Sequence, residues 1–270
     1  MEKHSLIKIA EEFIERSPDN YITKEIAISD SVIGMRIFDA PMFAFGAADD
    51  EYFTRLKQPS IIGEHFLHPQ EWLPGAKTVI SFFLPYSEEI KNSNKKDTSW
   101  PSAAWLHGRT DGQLLLNKLC LYLKSKLIEA GYNAVVPSLD ERFWSNSDSS
   151  QYAVKFTSNW SERHVAFVCG LGTFGLSKGL ITPKGTAGRL GSVITELYLE
   201  PNKREYQSFD EYCNMCGECA ENCPANAITT ENGKNHVLCS NFLNRITEIH
   251  KPRNGCGKCQ VDVPCESGIP

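Results

Sequence analysis

The sequence predicts an α+β (mixed α/β) body over residues 1–200 and a small cysteine-bound module over residues 201–270. Three observations carry this reading. Leu115, Leu116, Leu119, Leu123, Leu127 and Ile128 recur at the spacing of one helical face, and Gly131 closes that segment. Residues 77–85 are β-branched and aromatic, lie after Pro74-Gly75 and end at Pro85, as a buried strand does. Cys213, Cys216, Cys219 and Cys223 follow the pattern C-x2-C-x2-C-x3-C, with Pro224 directly after.

Along the chain, residues 4–16 place Leu6, Ile9, Ala10, Phe13 and Ile14 on one helical face, and Ser17-Pro18 stops the helix. Within residues 21–45 the apolar clusters 26–28 and 32–37 read as a short helix and a strand. Residues 87–101, with Lys91, Asn92, Asn94, Lys95, Lys96 and Asp97, read as a solvated loop. A helix over 113–130 and a short strand over 133–137 come next. Residues 161–170 read as a helix with Ser161 as N-cap, Glu162 in the first turn and Gly170 past its end.

Gly170, Gly172 and Gly175 satisfy G-x-G-x-x-G, with Glu196 downstream. A dinucleotide fold needs a strand before this motif and a long helix after it. Here a helix precedes the motif, and Gly179, Pro183 and Gly185 would interrupt any helix after it. The remaining readings are tight turns alone, or a loop whose backbone approaches a large cofactor.

The cysteine run is the one bacterial ferredoxins use to hold 4Fe–4S clusters, its fourth cysteine serving the other cluster. Cys239, Cys256, Cys259 and Cys265 bring the total to eight, as two clusters require. The expected sets are Cys213, Cys216, Cys219 and Cys265 for one, and Cys223, Cys239, Cys256 and Cys259 for the other. Disulfides suit secreted chains, and zinc suits paired C-x2-C knuckles without the x3-C-P step. The net charge of −5 argues against a nucleic-acid or anionic-membrane partner. An acidic N-terminus and an apolar run no longer than 79–84 predict a cytoplasmic protein with no membrane partner.

Glu162-Arg163, Gly170-Leu171-Gly172-x-x-Gly175, Leu180-Ile181-Thr182-Pro183, Gly185 and Arg189, then a strand at 192–196 and the double cysteine module, resemble the cobalamin-dependent iron–sulfur reductases. These are the epoxyqueuosine reductases and reductive dehalogenases. Residues 73–77 and 108–111 resemble the family as well. The resemblance implies a nitroreductase-like domain and a base-off cobalamin held between it and a ferredoxin-like module. Two 4Fe–4S clusters would deliver electrons to it from a ferredoxin- or flavodoxin-type donor. An oxidoreductase is the implied activity, or alternatively a corrinoid-binding electron-transfer or reactivation protein with a corrinoid protein as partner. A flavin in place of the corrinoid is a weaker reading. The chain departs from the family at Phe156, where an acidic proton donor is expected, and it shows neither a C-terminal tRNA-binding extension nor a twin-arginine signal. A tRNA substrate is therefore not expected.

These readings single out candidate site residues. Arg189 and Asn159 are placed near the substrate face, and Tyr132 and Tyr152 are candidate proton donors. Gly170, Leu171, Gly172 and Gly175 would approach the cofactor, with Lys178 and Thr182 on its amide side chains. His107 and His164 lack the signature of a cobalt ligand, His65 and His68 are spaced to share a metal, and Cys120 and Cys169 read as buried thiols.

Overall fold

The computed structural model describes residues 1–146 and 155–270. Its body is built on one antiparallel sheet in the order β1 (Met42–Ala47), β2 (Thr78–Pro85), β8 (Gly188–Thr195) and β3 (Ala134–Val135). All eight residues of β2 are buried, because both sheet faces are covered. Ile80, Phe82 and Leu84 point to the layer of α1 (Lys3–Arg16) and α5 (Ala103–Glu129). Val79 points the other way, into a core with α2 (Glu51–Arg55), α3 (Pro69–Trp72) and α6 (Glu162–Cys169). This two-sided burial explains why residues 77–85 read as a continuous apolar run with no alternation.

The predicted loop at 87–101 instead contains α4 (Glu88–Lys95). Ser87 caps it, accepting from the Ile90 N–H, and Ile90 is its one buried aliphatic side chain. A helix with so little apolar periodicity is invisible to pattern reading. Its buried polar residues are bonded to the C-terminal module: Lys91 Nζ donates to Ser267 Oγ at 2.8 Å, and Asn94 Nδ2 to the Cys256 carbonyl at 3.0 Å.

Helix α5 starts ten residues before the predicted position, capped by Ser102. Gly108 and Gly112, poor helix formers, hide its first turns from pattern reading. They serve packing, since a Cβ would lie 3.0 Å from the Tyr86 ring at the first and 2.8 Å from the Phe38 ring at the second. The apolar clusters at 26–28 and 32–37 form neither a helix nor a strand. Turns and a short 3-10 segment occupy that region, and the strand begins only at Met42.

Two-residue strands β4 (Ser145–Asn146) and β5 (Thr157–Ser158) pair, as do β6 (Thr173–Phe174) and β7 (Leu180–Ile181), the second pair closing the glycine-rich segment into a hairpin. The C-terminal module holds α7 (Glu218–Glu221), the pair β9 (Ile228–Thr229) and β10 (Gly233–Lys234), and α8 (His236–His250). The segment carrying Cys265 returns to the body, where the Thr186 N–H donates to the Cys265 carbonyl at 2.9 Å.

Candidate functional site

Eight cysteines gather around two cavities. Cys213, Cys216, Cys219 and Cys265 line the first, a small one, together with Gly175, Leu176 and Ile181 of the glycine-rich hairpin. The backbone around them is tightly turned, Met215 and Gly217 both taking positive φ (56° and 87°). Cys223, Cys239, Cys256 and Cys259 line the second, a larger and partly open hollow. Among the described residues no three His, Cys, Asp or Glu side chains converge closely enough for a single metal ion. Burial and neighbouring sulfurs push the Cys219 thiol up to about 12 and Cys265 to about 11. These thiolates therefore form readily only beside a bound cation.

The second cavity is walled on the body side by Tyr86, Trp105, Arg109, Arg163, Gly188 and Arg189. Gly255 and Gly257, at φ 121° and 70°, let that wall approach the cysteine strap. A Cβ at Gly257 would stand 1.9 Å from the Trp105 indole, and one at Gly255 would stand 2.7 Å from Arg109 Cγ. Between its cysteine neighbours, Lys258 is 3% exposed. Its ammonium donates to the carbonyls of Asn94 and Asp97, tying the strap to the end of α4.

Beneath the cavity, burial lowers the Arg189 guanidinium to about 9, helped by Arg109 and Arg163. Its Nη2 donates to Gln113 Oε1, and its Nε is buried with no partner. Glu162 sits beside Ser192, Ser138 and Trp160, with both carboxyl oxygens buried and closing no ordinary hydrogen bond. Burial raises it to about 7.

The sequence-predicted residues fall into different places. Arg189 lines the second cavity and Gly175 the first. Asn159 does neither: it is 2% exposed, accepts from the Trp144 N–H and donates to the Arg142 carbonyl, bracing two loops. Tyr132 packs against the core past the end of α5 and lines neither cavity. Tyr152 lies outside the described residues. Leu171 and Thr182 are each 0% exposed and present no surface to a ligand, and the Thr182 hydroxyl donates to the Gly185 carbonyl. Gly170 ends α6 at φ 97°, and Gly172 lets the hairpin close, since a Cβ there would meet the Ile181 carbonyl oxygen at 1.9 Å. Lys178, at φ 61°, turns the hairpin and lies against Gly233.

The histidines are committed elsewhere. His107 is 0% exposed; its Nε2 accepts from the Ile28 N–H, so Nδ1–H donates to Asp111 at 2.6 Å. Ser161 does not cap α6 with its side chain, and its hydroxyl bonds His164 Nδ1. His65 bonds Thr157 and His68 caps α3, so the two do not converge. Cys120 and Cys169 are buried free thiols. Arg109, Arg163, Tyr86 and Trp105 also line the second cavity and are not among the candidate residues singled out above. Arg109 and Arg163 do stand in the segments 108–111 and 162–163, which carried the family resemblance, and that signal pointed to them.

A 4Fe-4S binding domain matches residues 208–229. The epoxyqueuosine reductase of Bacillus cereus is 26% identical over 233 residues, 81% of this chain and 55% of that protein. The tetrachloroethene reductive dehalogenase of Dehalobacter restrictus is 37% identical over 98 residues, 34% of this chain and 18% of that protein. The chain thus spans about half the length of the epoxyqueuosine reductase it matches. A crystal structure of epoxyqueuosine reductase with an epoxyqueuosine-modified tRNA stem loop shares the fold, with TM-score 0.53 and 20% identity, covering 99% of this chain and 66% of that one. That stem loop is bound by that protein, and for this chain the expectation of no nucleic-acid partner rests on net charge alone. Net charge averages the whole surface, whereas binding reads local charge, and the second cavity of this chain is lined by cations. No described helix is long and apolar enough to cross a membrane.

Proposed function

We propose that this relative of the epoxyqueuosine reductases and reductive dehalogenases is an iron–sulfur oxidoreductase whose two 4Fe–4S clusters serve a base-off cobalamin. The observation that supports it is the division of eight cysteines between two cavities, four to each, with the second continuing into a wall of aromatic and cationic side chains. Cys213, Cys216, Cys219 and Cys265 would hold the outer cluster, and Cys223, Cys239, Cys256 and Cys259 the inner one. The donor set fits, since thiolates are the ligands such clusters take and cations beside the inner set balance their charge. Arg163 lies close enough to Cys239 and Cys259 to feel their charge.

The same reading divides the chain near residue 200 into a nitroreductase-like domain and a ferredoxin-like module. Gly188 and Arg189, which line the second cavity, would help to hold the corrinoid. When bound, the corrinoid supplies a strongly reducing metal centre fed by single electrons from the clusters. The protein's own residues bury the inner cluster and hold its strap against the body through Lys258. The donor would be of ferredoxin or flavodoxin type.

The test is anaerobic reconstitution with iron and sulfide, then cobalamin, with visible and EPR spectra recorded at each stage. About eight irons and about one retained corrinoid per chain, with a base-off cobalt signal, are expected. Eight irons without retained corrinoid would leave an electron carrier, and a bound flavin would replace the cobalamin reading.

A further inference from the structure

The second cavity carries more positive charge than its cysteines need. Arg109, Arg163, Arg189, Lys234 and Lys258 line it, and no Asp or Glu does. Three of the five have work already. Lys258 is turned onto the Asn94 and Asp97 carbonyls. Arg163 donates to the Lys178 carbonyl at 3.1 Å and lies near Cys239 and Cys259, and Lys234 lies near Cys259. A four-thiolate cubane leaves about two negative charges, which Arg163 and Lys234 match.

Arg109 and Arg189 remain. Arg109 makes no hydrogen bond or ion pair among the described residues, and its stem is packed against Gly255. Arg189 spends one nitrogen on Gln113 and leaves a buried Nε unpartnered. Arg109 and Arg189 repel each other, no carboxylate lines their cavity, and Glu162 is the one carboxyl near enough to act on Arg189, so the pair is costly unless an anion joins it. Planar guanidiniums match carboxylate and phosphate oxygens two at a time. Beside them Tyr86 and Trp105, edge to face at 4.8 Å and 1% and 2% exposed, form the packed apolar backing of the site.

We propose that Arg109 and Arg189 form an anion subsite that takes the phosphate or carboxylate of a small ligand. This rests on the cluster and corrinoid reading above and refines it. The anion has two possible sources: a substrate, or the phosphate in the nucleotide tail of the corrinoid.

The probe is inorganic phosphate, titrated into the anaerobically reconstituted full chain before any corrinoid is added, with calorimetry and tryptophan fluorescence as readouts. Saturable binding of one phosphate is expected, weakened at least tenfold by Arg189→Gln and by Arg109→Gln, partly kept by Arg189→Lys and unchanged by the surface control Lys24→Gln. Equal iron content and circular dichroism across the variants separate lost binding from lost folding. No saturable binding in the parent chain, or unaltered affinity in both glutamine variants, overturns the subsite. Corrinoids then separate the sources. Displacement of phosphate by cobalamin but not by cobinamide, which lacks the nucleotide tail, assigns the subsite to that tail. Phosphate that stays bound beside cobalamin assigns it to a substrate. A chain that binds phosphate but retains no corrinoid keeps the subsite and loses the corrinoid reading; one that retains corrinoid but binds no phosphate does the reverse.

Discussion

Gly257 occupies a place that no other residue fits. Its φ of 70° is left-handed, and an added Cβ would enter the Trp105 indole. Gly257→Ala is expected to cost about 1–3 kcal/mol and to loosen the strap between Cys256 and Cys259, seen as a lowered midpoint of anaerobic thermal unfolding. An unchanged midpoint would contradict this packing. Glu162 makes a second prediction at this scale. Its carboxyl is raised by burial to about 7, so the folded chain keeps a proton that the unfolded chain releases near the ordinary carboxylate range. As pH rises through that window the unfolded state gains, and stability falls until about pH 7. Glu162→Gln should remove this slope, making the variant progressively more stable than the parent between pH 5 and 7, by up to roughly 3 kcal/mol. Parallel stability curves for the two proteins would refute the assignment.

Among the elements, α4 and α5 hold the cysteine strap. Arg253 Nε donates to Asp111 Oδ2 at 3.0 Å and its Nη2 to the Ile26 carbonyl at 2.9 Å, while His107 Nδ1 bonds the same Asp111 oxygen. The N-terminal segment, α5 and the strap thus meet at one half-buried ion pair. Removing one partner leaves the other charge uncompensated. Asp111→Asn is expected to cost about 2–4 kcal/mol and to raise amide exchange over residues 251–259 ahead of the rest of the chain. Uniform protection across the chain would deny the clamp its local role. Lys258→Met leaves the Asn94 carbonyl near the end of α4 and the Asp97 carbonyl just beyond it without this donor. Faster exchange confined to residues 88–97 is the expected result, and no change there would sink it.

For the whole molecule, the two cysteine sets cross. Cys223 lies in the first motif but lines the second cavity, and Cys265 lies at the end of the chain but lines the first. Serine at Cys265 should therefore perturb the same cluster signal as serine at Cys213, and serine at Cys223 the same signal as serine at Cys256. Each should lower bound iron from about eight to about four per chain. Matching EPR changes within each pair are the check; a change shared by Cys213 and Cys223 would break the crossed assignment. What the sequence by itself determined is local. The β2 strand, the apolar face of α1, the end of α6 at Gly170 and the spacing of eight cysteines each depend on near neighbours along the chain. What only the tertiary structure decided is convergence. Helix α4 forms with one buried aliphatic side chain because its polar residues bond the distant strap. Thr182, Leu171 and Asn159 turn inward because the hairpin and loops around them close. Arg109, Arg163 and Arg189 come from α5, α6 and β8 to one cavity. No window of sequence contains all three, and an uncompensated charge becomes visible only when the fold has brought its neighbours beside it.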